Sequence, residues 1–171
     1  MNKLSRRGFL TSSGGGLAAG AAAALDGGAI AQSAHAANRA TPPYPRQPIG
    51  KADGLSAGKP VAFSYPDASS PCALLKLGAP VPGGVGRDGD IVAYSTLCTH
   101  MGCTVVYDVQ ARVFKCPCHF STFDAELAGQ MVCGQATENL PQVMLEVDAD
   151  TSEIFAIGVQ GLIYGRVANV S

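Results

Sequence analysis

Two short segments, Cys98-Thr99-His100-Met101-Gly102-Cys103 and Cys116-Pro117-Cys118-His119, constrain this chain more than anything else in it. Each places a cysteine and a histidine at ligand spacing, and each carries a second cysteine. Thiolates and imidazoles in a Cys₂His₂ set can hold a tetrahedral zinc ion, or a [2Fe–2S] centre whose second iron takes two histidines. Zinc fingers keep cysteine with cysteine and histidine with histidine. Here the types interleave, Cys98 with His100 and Cys116 with His119, so one iron can take both thiolates and the other both imidazoles. The extra pair, Cys103 and Cys118, has no use in a plain zinc site. Structural zinc stays the competing reading.

The segments between and around these clusters read as short strands. Thr104–Tyr107 and Arg112–Lys115 form an expected hairpin joining the two arms, so that rigid strands hold the ligands in register. Further β-type runs are expected at Val61–Tyr65, Cys72–Leu77, Ile91–Ser95, Val143–Val147, Glu153–Ile157 and Leu162–Val167. Asp148-Ala149-Asp150-Thr151 makes a hairpin turn between two of them. A helical turn or two fits only near Ala125–Leu127. Short strands at regular spacing, with Gly 21 and Pro 11 in the chain, predict an all-β antiparallel sandwich or barrel with the cluster loops as a subdomain.

At the N-terminus, Ser5-Arg6-Arg7-Gly8-Phe9-Leu10 matches a twin-arginine export signal. A weakly apolar Gly/Ala stretch follows from about Gly14 to Leu25, then small-residue cleavage sites at Ala29-Ile30-Ala31 or Ala34-His35-Ala36. The chain therefore divides into a cleavable signal over 1–36, an extended Pro/Gly-rich arm over 37–60 and one domain over 61–171, with cluster-binding loops at about 96–141. Asp26 interrupts the apolar stretch before a ~20-residue span is reached, so retention as a membrane anchor is the lesser expectation. Export through that pathway carries folded proteins, which suits a cofactor inserted before transport, and the periplasm is the expected location. The net charge of −1 and the lack of a basic stripe leave no footprint for nucleic acid.

With these residues in view, the pattern C-x-H-x-x-C followed by C-x-C-H resembles the Rieske family. The resemblance implies one [2Fe–2S] cluster per chain, with Cys98 and Cys116 on one iron and His100 and His119 on the other. It also implies a Cys103–Cys118 disulfide tying the loops, and a tip at which His100 and His119 face the redox partner. Ser121 stands where a hydroxyl donates to a bridging sulfide. Phe123 stands where high-potential members carry a tyrosine that donates to a ligating sulfur, a bond phenylalanine cannot make. Phe120 replaces a common glycine and makes the tip bulkier and more apolar. Gly134–Pro141 resembles the third loop over the cluster, its usual prolines replaced at Gln135 and Thr137. Cys72 and Cys133 have no assigned role; buried free thiols are the plainer expectation, and a second disulfide has no spacing argument behind it. Centres of this type work at roughly −150 to +300 mV.

Within the family, C-P-C-H-F-S-T-F-D at 116–124 and A-G-Q-M-V-C-G-Q-A-T-E-N-L-P at 128–141 look like the small subunit of arsenite oxidase. That implies an electron-transfer subunit without substrate chemistry of its own. Its partners would be a large molybdopterin and iron–sulfur catalytic subunit and a cytochrome c or azurin-like blue-copper acceptor. A Rieske subunit of a cytochrome bc-type complex is the alternative. It would keep its anchor and its tyrosine. A soluble Rieske ferredoxin would lack both the disulfide pair and the export signal.

Overall fold

The computed structural model describes residues 44–170; the expected signal and the first part of the expected arm lie outside them. Ten strands are found: β1 (Gln47–Lys51), β2 (Val61–Ser64), β3 (Pro71–Lys76), β4 (Ile91–Ser95), β5 (Val106–Asp108), β6 (Val113–Lys115), β7 (Thr122–Asp124), β8 (Gln130–Cys133), β9 (Gln142–Val147) and β10 (Glu153–Gln160). They form an antiparallel six-stranded sheet, ordered β1-β10-β9-β4-β3-β2, and a four-stranded sheet, β5-β6-β7-β8. Among the described residues there is no α-helix, and the all-β expectation holds.

The central strands explain the layering. In β3 and β4 every residue but the two ends of β3 is buried, because successive side chains enter different cores. Leu74, Ile91 and Ala93 join Val143, Leu145, Ile154 and Ala156 inside the large sheet. Leu75, Val92 and Tyr94 face the other way and meet Phe114, Phe123 and Leu140 of the smaller, cluster-bearing layer. Full burial of each such large apolar side chain stabilises by roughly 1.5–3 kcal/mol. The large sheet curls until its edges approach, where Gln47 Nε2 donates to the Ser64 carbonyl at 3.0 Å. The result is a nearly closed barrel with a small sheet packed on its β3–β4 wall.

Two expectations need correction and a third gains detail. Within the expected extended arm over 37–60, Gln47–Lys51 is an edge strand on β10, followed by a 3₁₀ turn at Ala52–Gly54. An edge tolerates Pro48, and a register shift between Pro48 and Gly50 absorbs the irregularity. Leu162–Val167 is not a strand; only Ile163 is fully buried, and its N–H is taken by Asn169 Oδ1 at 2.9 Å. The helical turn near Ala125–Leu127 is instead the tight β7–β8 connection.

Candidate metal centre

The first cluster loop leaves β4 and the second joins β6 to β7, and the two are built alike. In the first, Cys98 N–H donates to the Cys103 carbonyl (2.9 Å) and Gly102 N–H to the Cys98 carbonyl (2.8 Å). In the second, Cys116 N–H donates to the Ser121 carbonyl (2.8 Å) and Phe120 N–H to the Cys116 carbonyl (3.1 Å). Each loop thus closes on itself with its cysteine turned inward, and each has its fifth residue in the left-handed region, Gly102 at φ 73° and Phe120 at φ 62°. A disulfide between Cys103 and Cys118, with S–S 2.08 Å, fastens one loop to the other.

This construction brings the four expected donors together. Cys98 and Cys116 are buried at the floor, 1% and 2% exposed, with their thiols near enough to act on one another. Burial pushes the Cys98 thiol up. At Cys116 burial acts the same way, but the N–H groups of Cys118 and His119 and the Cys98 thiol outweigh it and hold this thiol down. Above the floor the His100 and His119 rings stand edge to face, 88° between planes, centroids 4.7 Å apart. His119 is exposed and His100 half-buried. The Nδ1 of His100 is buried and meets no hydrogen-bond partner. A buried polar nitrogen left without a partner is costly unless something binds it.

A third segment closes the site. Gly134 passes so near the second loop that a Cβ there would lie 2.6 Å from the Ser121 nitrogen. Ser121, fully buried, accepts hydrogen bonds at Oγ from the N–H groups of Gln135 (3.1 Å) and Ala136 (2.9 Å), which leaves its own proton to be donated. Thr99 Oγ1 donates to the Glu138 carbonyl at 2.8 Å, tying first loop to third. Phe123 is fully buried in the same apolar cluster as Cys98 and Cys116. Phe120 does not pack inward and is 78% exposed. Cys72 and Cys133 are free. Cys72 lies in the barrel core, where burial pushes its thiol up to about 12, and Cys133 is exposed on β8.

Sequence reasoning missed the supports from elsewhere in the chain. The Tyr164 ring lies over Gly102, 2.6 Å from where a Cβ would stand, and Tyr94 OH donates to the Ala125 carbonyl at 2.9 Å beneath the small sheet. No local pattern marks either contact. The sulfurs of Cys103 and Cys118 lie within 4.8 Å of the Cys116 sulfur, but joined as a disulfide they are not free donors.

The donor chemistry fits a binuclear iron–sulfur group: two buried thiols served by N–H groups, two adjacent imidazoles, one with an unpartnered buried nitrogen. When bound, such a group takes up and returns one electron. The description "Rieske [2Fe-2S] domain" matches residues 46–144. "Iodate reductase subunit IdrB" of Denitromonas iodatirespirans is 42% identical over 169 residues, covering 97% of this chain and 86% of that protein. The "Cytochrome bc1 complex Rieske iron-sulfur subunit" of Corynebacterium diphtheriae is 48% identical over 63 residues, 36% of this chain and 16% of that one. Among solved structures, the soluble domain of the Rieske protein II (soxF) from Sulfolobus acidocaldarius is 25% identical with a TM-score of 0.66, covering 75% of this chain and 86% of that chain. A donor set of this geometry, on this fold and with these relatives, places the chain in the Rieske [2Fe–2S] domain family, with a [2Fe–2S] cluster as its cofactor.

Proposed function

We propose that this chain is the electron-transfer subunit of a periplasmic oxidoreductase whose substrate chemistry resides on a separate molybdopterin subunit. The observation that carries this reading is coverage: similarity to an oxidoreductase subunit runs through 97% of the chain, whereas similarity to the cytochrome bc1 subunit is confined to 36%. Cys98 and Cys116 serve one iron and His100 and His119 the other. The unpartnered Nδ1 of His100 supports that assignment. The substrate is arsenite, as the runs over 116–124 and 128–141 suggest. Its two-electron oxidation to arsenate at the partner sends electrons singly through this chain to a cytochrome c or blue-copper acceptor. The twin-arginine motif at 5–10 supports export.

A second reading, iodate reduction, rests on the names of the full-length relatives and reverses the electron flow. Purification of the complex from the periplasm, with molybdenum analysis, tests the assembly. Adding arsenite anaerobically should then bleach the oxidised cluster. Bleaching by arsenite supports arsenite oxidation. Reoxidation of the reduced cluster by iodate, with no response to arsenite, would replace that reading by the second. Cys98→Ser and His119→Ala proteins should be colourless; retention of full iron and of the reduced-state resonance would overturn the ligand assignment.

A further inference from the structure

The two cluster loops share one hydrogen-bond scheme, and their fifth residues, Gly102 and Phe120, share one left-handed conformation. At Gly102 the space a side chain would fill is taken by the Tyr164 ring. At Phe120 the corresponding direction is open. The chain has put an aromatic ring there, on backbone that favours glycine, and left it 78% exposed. Met101, beside His100 and Gly102 in the first loop, is 58% exposed. The three segments at the tip, 98–103, 116–122 and 133–139, contain one charged residue, Glu138. Lys115, at the base of the second loop, is spent on Asp108 at 2.6 Å.

We propose that Phe120 and Met101 form an apolar clamp around the two imidazoles that seats permanently in an uncharged recess of the catalytic subunit. This rests on the reading under Proposed function that such a subunit exists. The choice of occupant follows from charge. A diffusing acceptor finds its docking site through complementary potentials, and this tip offers almost none. Aromatic and Met residues with charge depleted are the composition of interface cores, and apolar surfaces of that sort belong to lasting complexes. A projecting ring on strained backbone also suits an anchor, since it reaches a pocket that a glycine could not fill.

The test uses the full heterodimer, with subunit dissociation measured by mass photometry at low and high salt. Wild-type affinity should be nearly independent of salt, and Phe120→Gly should weaken it by roughly tenfold or more. Glycine suits φ 62° better than phenylalanine, so this variant should keep its cluster spectrum and thermal stability. Phe120→Leu should recover part of the affinity. Unchanged dissociation in Phe120→Gly and Met101→Ser would overturn the proposal, as would an affinity that falls steeply with salt. Slower reduction of a soluble acceptor with the heterodimer intact would overturn it too, moving the clamp to the acceptor. If the wild-type chain captured no catalytic subunit at all, the reading beneath it would fail instead.

Discussion

Reduction adds negative charge to an iron–sulfur centre, so a hydrogen-bond donor aimed at its sulfurs stabilises the reduced form more than the oxidised one. Phe123 withholds such a donor from a fully buried position in the apolar cluster that also holds Cys98 and Cys116. One charge-assisted bond contributes a difference of about 1 kcal/mol, and 59 mV corresponds to about 1.4 kcal/mol for one electron, so Phe123→Tyr should raise the midpoint potential by about 40 mV. Protein-film voltammetry checks this. An unchanged or lower potential, with the hydroxyl seen beside a ligating sulfur, would sink it. Ser121 makes a finer case. Its Oγ accepts from Gln135 and Ala136, and each accepted bond polarises the hydroxyl it leaves free to donate. Gln135→Pro removes one N–H and should lower the potential by roughly 10 mV. In a Ser121→Ala background the same change should do nothing; equal shifts in both backgrounds would show that Gln135 acts by another route.

At the scale of elements, the paired loops depend on the Cys103–Cys118 bridge, which closes a separation of 15 residues. In the chain-entropy account, a loop of that size contributes about 3 kcal/mol by restricting the unfolded chain. Cys103→Ala protein should therefore assemble its cluster but lose the visible absorption at lower temperature than wild type, and a matching loss temperature would show that the bridge is idle. The ligand loops were legible because metal chemistry admits few residue types at fixed spacing, so Cys98, His100, Cys116 and His119 announce themselves locally. Strands β3, β4, β9 and β10 were legible for a related reason, as apolar runs with few breakers. Others were not. β1 carries Pro48 and Gly50, which read as linker but are tolerated at an edge. β7 and β8 are only three and four residues long, below the length at which periodicity speaks. The apolar run Leu162–Val167 misled because its exposed members, Leu162, Tyr164 and Val167, serve contacts or surface rather than a sheet.

Across the whole molecule, the barrel and the cluster layer are tied together at a point far from the ligands in sequence. Asn169, 8% exposed, accepts from Ile163 N–H, and its Nδ2 donates to the Gly161 carbonyl (2.8 Å) and to Tyr44 OH (2.9 Å). Tyr44 stacks on Tyr65, with centroids 6.1 Å apart, where the chain enters β1. The segment that Asn169 braces carries Tyr164, whose ring lies over Gly102 in the first cluster loop. Loss of the Asn169 amide leaves a buried N–H and a carbonyl without partners, at about 1–3 kcal/mol for a buried group left unsatisfied. For a domain of this size that lowers Tm by roughly 5–10 °C. Because the braced segment presses on the first loop, Asn169→Ala should bring cluster loss forward together with unfolding, while Tyr164→Ala should advance cluster loss more than it lowers Tm. Parallel scans of far-ultraviolet dichroism and visible absorption separate the two. If Asn169→Ala left both transitions in place, the C-terminal segment would be a bystander to the centre it touches.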